Sequence, residues 1–509
     1  MIEEEVRKLI AEIHTVCETG NPDEAEKKFR EAFRIVKDSG YVHELNLFKS
    51  LHELYIKEDT RNAMRLIQEY LSTGNTSFYP YALCILGRVH YKERNYSKAV
   101  ELYRKAIGFP NFKNQGYTWL KIGRCFQKQR EFQKAIESLK KAIKIYKDLK
   151  DKKNLSITLN VLGNVYLQEG RYKKAEEVLK EALDLDEKTG NVQQKTITLN
   201  VLGNVYLQEG RYKKAEEVLK EALDLDEKTG NVQHKVKDLN VLGNVYLQEG
   251  RYAEAEEVLK EALDLDEKTG NIQSQTITLN VLGNVYLQEG RYAEAEEVLK
   301  EALDLDEKTG NIQSQTITLN LLGNVYLQEG RYKKAEEVLK EALDLDEKTG
   351  NVQSQTITLN LLGNVYLQEG RYAEAEEVLK EALDLDEKTG NIQSQTISLN
   401  LLGNVYLQEG RYKKAEEVLK EALDLDEKTG NVQHKVKDLN LLGNVYLQEG
   451  RYAEAEEVLK EALDLDEKTG NVQQKVKDLN LLGNVYLQEG RYAEAEEVLK
   501  EALDLDEKT

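Results

Sequence analysis

The chain has 509 residues and a net charge of −20, with only 3 Pro, 3 Cys, 2 Met and 1 Trp beside 28 Tyr and 33 Gly. No apolar run approaches the roughly 18 residues that a membrane helix needs, and the acidic start MIEEEVRKLI is unlike a signal or transit peptide. Three cysteines without a C-x-x-C motif provide neither a disulfide framework nor a thiolate zinc site. Composition therefore excludes membrane-spanning and disulfide-rich secreted classes and predicts a cytoplasmic protein.

Charge and residue usage both change near residue 154. Residues 1–158 carry 30 Lys and Arg against 21 Asp and Glu, a net charge of +9, which leaves −29 for residues 159–509. Every Pro, Cys, Met, Phe and Trp also precedes residue 154. We therefore predict a basic head, residues 1–153, and an acidic array, residues 154–509, an asymmetry that indicates two kinds of partner or none.

The head contains pairs of helical segments, four by count. Two of them, ALCILGRVHYKERNYSKAVELYRKAI and TWLKIGRCFQKQREFQKAIESLKKAI, carry Gly and Ala at matching positions. Two fainter pairs precede them, one around Gly20, Ala25 and Ala32, the other with helices near residues 42–57 and 60–71. The head is thus predicted to be a row of helical hairpins.

The array repeats one unit of 40 residues nine times. LNVLGNVYLQEGRY begins at Leu159 and returns every 40 residues until Leu479, with Leu in place of Val in the later copies. A fixed period of this size is typical of a solenoid, in which each unit buries its apolar face on its neighbours. Near-identity that extends to surface residues indicates either recent duplication or design.

Each array unit is predicted to be a hairpin of two helices. Apolar residues follow helical spacing over 192–209, Gly210 ends that helix, and a second helix runs over 212–229. Gly230 supplies a left-handed C-cap, and Asn231 is a natural N-cap for the next helix.

The spacing of small and apolar residues resembles a known family. In the first array unit the matching residues are Leu159, Leu162, Gly163, Tyr166, Gly170, Tyr172, Ala175, Leu179 and Ala182. These residues resemble the tetratricopeptide repeat (TPR), in a long form similar to that of the Pins/LGN polarity scaffolds and kinesin light chains. The resemblance implies an all-α, right-handed superhelix of about thirteen hairpins that acts as a non-enzymatic protein-interaction scaffold.

Two residues depart from the TPR pattern. Glu187 stands where proline commonly ends the second helix, which predicts longer helices. Arg171 stands where Asp or Asn is usual, which predicts a weaker N-cap for the second helix. The last unit also stops without a polar capping helix, so self-association through solenoid ends is a further expectation.

By the same resemblance, the first helix of each unit lines a concave groove. Amide side chains recur there four residues apart, and the expected peptide-binding residues are Asn160, Asn164, Gln168, Asn200, Asn204, Asn240, Asn244, Asn280, Asn284, Asn320 and Asn324. An Asn amide both donates and accepts, so it can pair with a peptide backbone of any sequence. The alternative is that Asn at these sites belongs to the repeat consensus without any ligand.

One position bordering this groove varies between units. It is isoleucine at Ile157, Ile197, Ile277, Ile317, Ile357 and Ile397, and lysine at Lys237, Lys437 and Lys477. The change predicts local preference for apolar or acidic ligand groups, with tolerated surface variation as the alternative.

The equivalent groove positions of the head are basic. Arg88, Lys92, Lys121, Arg124 and Lys128 would repel one another on one surface unless an anion joined them. An acidic peptide or RNA is therefore an expected partner of the head, with an ordinary solvated basic face as the alternative. RNA binding predicts a steep salt dependence.

Catalytic and metal-binding motifs are missing from the sequence. The six histidines are scattered, and no P-loop, nucleophile elbow or H-E-x-x-H motif occurs. We expect no enzyme activity, metal or cofactor. Besides peptide binding by the array and RNA binding by the head, a third alternative is a designed or structural solenoid without a ligand.

Overall fold

The computed structural model describes residues 8–10, 12–13, 22–38, 44–73, 78–109, 112–469 and 471–506. Within these ranges every regular element is an α-helix and there is no strand. Gly20 and the predicted helix start near residue 42 lie outside the described residues.

In the described part of the head, helical residues at 8–10 and 12–13 are followed by seven helices. They are α1 (Pro22–Asp38), α2 (Leu45–Tyr55), α3 (Thr60–Ser72), α4 (Tyr79–Lys92), α5 (Tyr96–Ile107), α6 (Gln115–Lys128) and α7 (Phe132–Asp148). The last six pack as three consecutive hairpins.

The array forms nine hairpins, each with a first and a second helix. The first helices are α8 (Lys152–Gln168), α10 (Val192–Gln208), α12 (Val232–Gln248), α14 (Ile272–Glu289), α16 (Ile312–Gln328), α18 (Val352–Gln368), α20 (Ile392–Gln408), α22 (Val432–Gln448) and α24 (Val472–Glu489). The second helices are α9 (Tyr172–Thr189), α11 (Tyr212–Thr229), α13 (Tyr252–Thr269), α15 (Tyr292–Thr309), α17 (Tyr332–Thr349), α19 (Tyr372–Thr389), α21 (Tyr412–Thr429), α23 (Tyr452–Thr469) and α25 (Tyr492–Asp506). The described residues thus contain twelve complete hairpins, preceded by α1 and by the helical residues 8–10 and 12–13, which confirms the all-α solenoid of about thirteen hairpins.

Close packing of the two helices within a hairpin depends on a glycine. A Cβ atom at Gly363 in α18 would lie only 2.6 Å from the side chain of Leu379 in α19. Leu379 and Ala375 of α19 are fully buried, and Tyr366 of α18 is buried as well. Helices of 17 and 18 residues, against 14 and 12 in the hairpin of α4 and α5, confirm the longer helices predicted for the array.

The hairpin connections are as predicted. Gly350 ends α17 in the left-handed conformation with φ of +65°, and the Asn351 side chain accepts a hydrogen bond from the backbone N–H of Ser354 at 3.4 Å. Arg371, by contrast, makes no side-chain cap at the start of α19. The weaker N-cap predicted from arginine at this position is therefore confirmed.

That arginine joins neighbouring hairpins instead. The guanidinium of Arg371 lies 4.1 Å from the ring centre of Tyr366 and donates to Glu336 Oε2, on the preceding hairpin, at 2.9 Å. Tyr366 Oη donates to the other oxygen of Glu336 at 3.0 Å. The hydrogen bond from Arg371 lowers the pKa of Glu336 to about 2, so the carboxylate stays ionised and holds both partners.

The chain divides into two compact units. The first unit contains residues 1–205 and 220–230, and the second unit contains residues 206–219 and 231–509. Within the second unit the Gln433 side chain approaches Gly210 and hydrogen-bonds Tyr212, and Gln473 approaches Gly250 in the same way. Hairpins more than five repeats apart therefore touch inside this unit.

Candidate functional site

One face of each first helix in the second unit is open to solvent. On α14 this face contains Ile277, Val281, Asn284 and Gln288, which are four, three and four residues apart and so lie along one side of the helix. Ile277 and Gln288 are exposed, and Val281 and Asn284 are half-buried. First helices of successive hairpins contact each other directly. We call the equivalent residues on α12 to α22 the groove face.

Four of the expected peptide-binding residues are buried between hairpins instead of lying on this face. Asn160, Asn240, Asn280 and Asn320 are each 7% exposed. Their side-chain amides lie 3.0–3.2 Å from the hydroxyl of a threonine 38 residues later, on the next first helix. The equivalent Asn200 is half-buried. The buried amides thus link repeats and are not available to a ligand.

A buried aspartate completes each of these junctions. Thr318 Oγ1 donates to Asp306 Oδ2 at 3.2 Å, while Asn280 contacts the same hydroxyl at 3.0 Å. Asp306 is 1% exposed, and this burial raises its pKa, although the hydroxyls of Ser314 and Thr318 oppose the shift. The equivalent Asp186 of the first array repeat is 2% exposed and accepts hydrogen bonds from the Ser156 and Thr198 hydroxyls.

Three repeats of the second unit have aspartate, Asp238, Asp438 and Asp478, where the others have threonine or serine. Asp438 on α22 accepts from Asn400 Nδ2 at 2.6 Å, and Asp478 on α24 accepts from Asn440 Nδ2 at 2.6 Å. Asp438 neighbours Asp426 of α21, and Asp478 neighbours Asp466 of α23 in the same way. These junctions therefore bury two carboxyl groups side by side.

The second amide of each first helix, which on α12 to α22 lies on the groove face, is mostly uncommitted. In the first compact unit, Asn164 and Gln168 both accept a hydrogen bond from Gln127 Nε2, at 3.4 and 3.2 Å. Asn204 and Asn244 donate to the backbone carbonyl four residues earlier. The following five make no side-chain hydrogen bond within the described residues: Asn284, Asn324, Asn364, Asn404 and Asn444. We call these five residues the free amide row.

A pocket opens at the end of the groove face between α16 and α18. Its volume is about 420 Å³, and its lining includes Gln328, Tyr332, Asn364 and Gln368. Three of these side chains are amides that can donate and accept hydrogen bonds. The free amide row is therefore accessible to a ligand at this point.

Three of the five basic residues of the head are engaged within the protein, two of them by a neighbouring hairpin. The Arg88 guanidinium lies 4.4 Å from the ring centre of Tyr55, and Lys92 Nζ donates to the Leu54 carbonyl at 2.8 Å. Lys121 is only 2% exposed, and its ammonium lies 5.0 Å from the ring centre of Tyr117. Such contacts with aromatic faces stabilise a cation by about 0.5–2 kcal/mol.

Two basic residues of the head remain at or near the surface. Arg124 is half-buried beside Tyr91, and Lys128 is exposed. The five cations therefore do not converge on one open surface, because Lys121 is buried and Arg88 and Lys92 have partners within the protein. Anion binding by this head stays a prediction.

The part of the chain that the structure describes offers neither a metal-binding cluster nor a reactive thiol. Those residues contain no group of three His, Cys, Asp or Glu side chains that could hold a metal ion. Burial raises the pKa of the Cys84 and Cys125 thiols to about 12, which makes both unreactive. Among the described helices, none is long and apolar enough to cross a membrane.

Comparison with protein families gives matches along most of the chain. The MalT-like TPR region matches residues 109–396 and 268–439, and two further tetratricopeptide repeat families match residues 438–508 and 80–110. Residues 8–59 match anaphase-promoting complex subunit 5. No curated protein sequence matches the chain.

One solved structure shows the same fold at low sequence identity, and two others named here are less similar. A Rap protein complexed with Competence and Sporulation Factor is 16% identical, with a TM-score of 0.51 over 76% of this chain and 99% of that one. Yeast Tom70 is 16% identical, with a TM-score of 0.47 over 85% and 93%. A Podospora anserina protein of the kinesin light chain type, with nearly identical TPR-like repeats, is 24% identical, with a TM-score of 0.33 over 38% and 94%. With more than half of its residues matched by the MalT-like TPR region, the chain belongs to the tetratricopeptide repeat family.

Proposed function

We propose that the protein is a non-enzymatic scaffold that binds an extended polypeptide on the groove face of its second unit. The free amide row carries this proposal, because five half-buried amides in consecutive repeats have no hydrogen-bond partner among the described residues. An extended backbone offers a regular series of N–H and C=O groups that such amides can satisfy.

The preformed surface supports weak contacts that add together. Each amide is fixed on a helix that packs against its neighbours, so binding orders few groups of the receptor. Each hydrogen bond contributes about 1 kcal/mol net. TPR solenoids are generally interaction scaffolds, and the Rap structure named above is a complex with Competence and Sporulation Factor.

The test compares the full chain with a variant carrying Asn324→Ala, Asn364→Ala and Asn404→Ala. An immobilised array of random peptides, washed at high salt, selects binders of the unmodified chain. Loss of three backbone hydrogen bonds is expected to weaken these peptides by about 100-fold, measured by titration calorimetry.

A matched control removes three exposed carboxylates from the second helices, through Glu337→Ala, Glu377→Ala and Glu417→Ala. The control is expected to bind as the unmodified chain does. Equal affinity of the asparagine variant and the unmodified chain, or no selected peptide at all, contradicts the proposal.

A further inference from the structure

Four consecutive first helices present an exposed isoleucine on the groove face. Ile277, Ile317, Ile357 and Ile397 are 51, 49, 47 and 41% exposed. In the first compact unit the residues at the same repeat position are less exposed, since Ile157 is buried and Ile197 is half-buried. We call the four exposed residues the apolar row.

Lysines stand at the same repeat position on either side of the apolar row. Lys237 occupies it one repeat earlier, and Lys437 and Lys477 occupy it one and two repeats later. All three side chains are exposed, and none makes an ion pair within the described residues. The apolar row is therefore bounded at both ends by available positive charge.

The apolar row and the free amide row run side by side. Each isoleucine precedes an asparagine of the free amide row by seven residues, two helical turns, on the same face. A half-buried Val281, Leu321, Leu361 or Leu401 lies between them. A ligand seated here meets apolar side chains along one edge and amides along the other.

The distance between repeats indicates the spacing of groups in the ligand. Packed helices lie about 8–10 Å apart, and a polyproline II chain advances about 9 Å in three residues, with every third side chain on one side. A helical ligand would use its backbone groups internally and leave the amides unsatisfied. The free amides therefore favour the extended chain.

From these features we infer that the ligand is an extended segment with apolar side chains at every third position over four positions and an acidic residue beyond each end. The inference rests on the proposed function and names the chemistry of its ligand. Apolar contacts provide most of the affinity, since exposed ion pairs change affinity only a few-fold. Lys237 and Lys437, the lysines next to the two ends of the apolar row, fix the register of the ligand.

The probe is a synthetic peptide with four leucines spaced three residues apart and a glutamate three residues before the first and after the last. Its control peptide has the same composition with leucines spaced two apart. The unmodified chain is expected to bind the first peptide at least tenfold more tightly. Replacing both glutamates by glutamine should weaken binding a few-fold at low salt and not at high salt.

The protein variant is Ile317→Lys with Ile357→Lys. Lysine already occupies this position in three repeats, so the fold is expected to persist. Binding of the probe should fall at least tenfold. The matched control, Ala373→Lys, adds a lysine on the exposed side of α19, where the equivalent Lys333 stands in another repeat, and should bind normally.

Equal affinity for both leucine spacings, or no effect of the two isoleucine substitutions, overturns the inferred ligand. If array peptides still depend on Asn324, Asn364 and Asn404, the proposed function survives that result. If neither the probe nor any array peptide binds, both proposals fail.

Discussion

Replacing Asp438 with threonine is expected to stabilise the protein at pH 8 by about 1–3 kcal/mol. The gain should become smaller as the pH falls towards 5. Threonine at this position would donate to Asp426 as Thr358 donates to Asp346, at 3.0 Å, in another repeat. The substitution therefore replaces a pair of buried acids with a hydroxyl–carboxylate hydrogen bond.

The existing pair is unfavourable because both partners are hydrogen-bond acceptors. Asp426 and Asp438 are 1% and 2% exposed, and the hydrogen-bond donors near Asp426 in the described residues are Thr396 and, when it is protonated, Asp438. Burial and the neighbouring carboxylate raise the pKa of Asp438 to about 8, and burial raises the pKa of Asp426 to about 6. Two carboxyl groups in contact cannot both ionise without repulsion, so they share a proton.

Nearby basic groups do not neutralise the pair. Lys435 Nζ pairs instead with Glu427 at 2.7 Å and Glu461 at 2.8 Å. Burial lowers the pKa of His434 to about 4, so this ring is neutral at pH 7. Lys437 is exposed, and it lowers the pKa of Asp438 less than the other neighbouring groups change it.

The sign of the pH dependence follows from the raised pKa values. An unfolded aspartate loses its proton near pH 3.9, whereas the folded pair keeps one to a higher pH, because burial and the neighbouring carboxylate raise its pKa. Between these values the folded state binds more protons, so the stability contributed by the pair is fully present below about pH 4 and falls as the pH rises. The unmodified chain should lose stability from pH 5 to pH 8, and Asp438→Thr should lose less.

Urea unfolding followed by circular dichroism at pH 5, 6, 7 and 8 measures the effect. Hydrogen exchange of α20, α21 and α22 localises it, because long repeat arrays lose two-state cooperativity. The reciprocal control, Thr358→Asp, places a carboxyl group beside Asp346 and should destabilise most at high pH. A gain for Asp438→Thr that is the same at every pH would contradict the explanation.

Helical periodicity and small-residue spacing were sufficient to predict the hairpins. The bounds expected for the second helix of this array hairpin, 212–229, equal those of α11. The first helix was expected over 192–209, and α10 ends one residue earlier. Gly363 and Leu379 show why, since close helix packing needs a small residue at a fixed position in every copy. The residues that set this packing recur in every repeat, so the repeat pattern alone is enough to predict it.

The division of the amides into buried and free rows was not predictable from spacing. Asn280 and Asn284 are four residues apart on the same side of α14, so periodicity treats them alike. The next hairpin covers Asn280 with Thr318 and leaves Asn284 open. In the head, Arg88 similarly meets Tyr55 from another hairpin. Such contacts depend on the angle between hairpins, which the sequence pattern does not contain.

Adding a single methyl group at Gly323 is expected to destabilise the protein by about 1–3 kcal/mol, the usual cost of overpacking a core. A Cβ atom there would lie 2.6 Å from Cγ and Cδ2 of Leu339, which is fully buried in α17. Because each hairpin of a solenoid contacts mainly its neighbours, exchange protection should fall most in α16 and α17. Urea unfolding and hydrogen exchange of Gly323→Ala measure both effects.

A double-mutant cycle with Leu339→Ala isolates the clash, because the smaller side chain leaves room for the new methyl group. The two substitutions together should therefore cost less than the sum of their separate effects, by about 1 kcal/mol or more. Gly330→Ala is the matched control. It has no atom within 4 Å of the new Cβ but has φ of +71°, so it should cost about 1 kcal/mol through backbone conformation alone. That cost should not change with Leu339→Ala, and additivity at Gly323 as well would show that close helix packing is not the reason for its glycine.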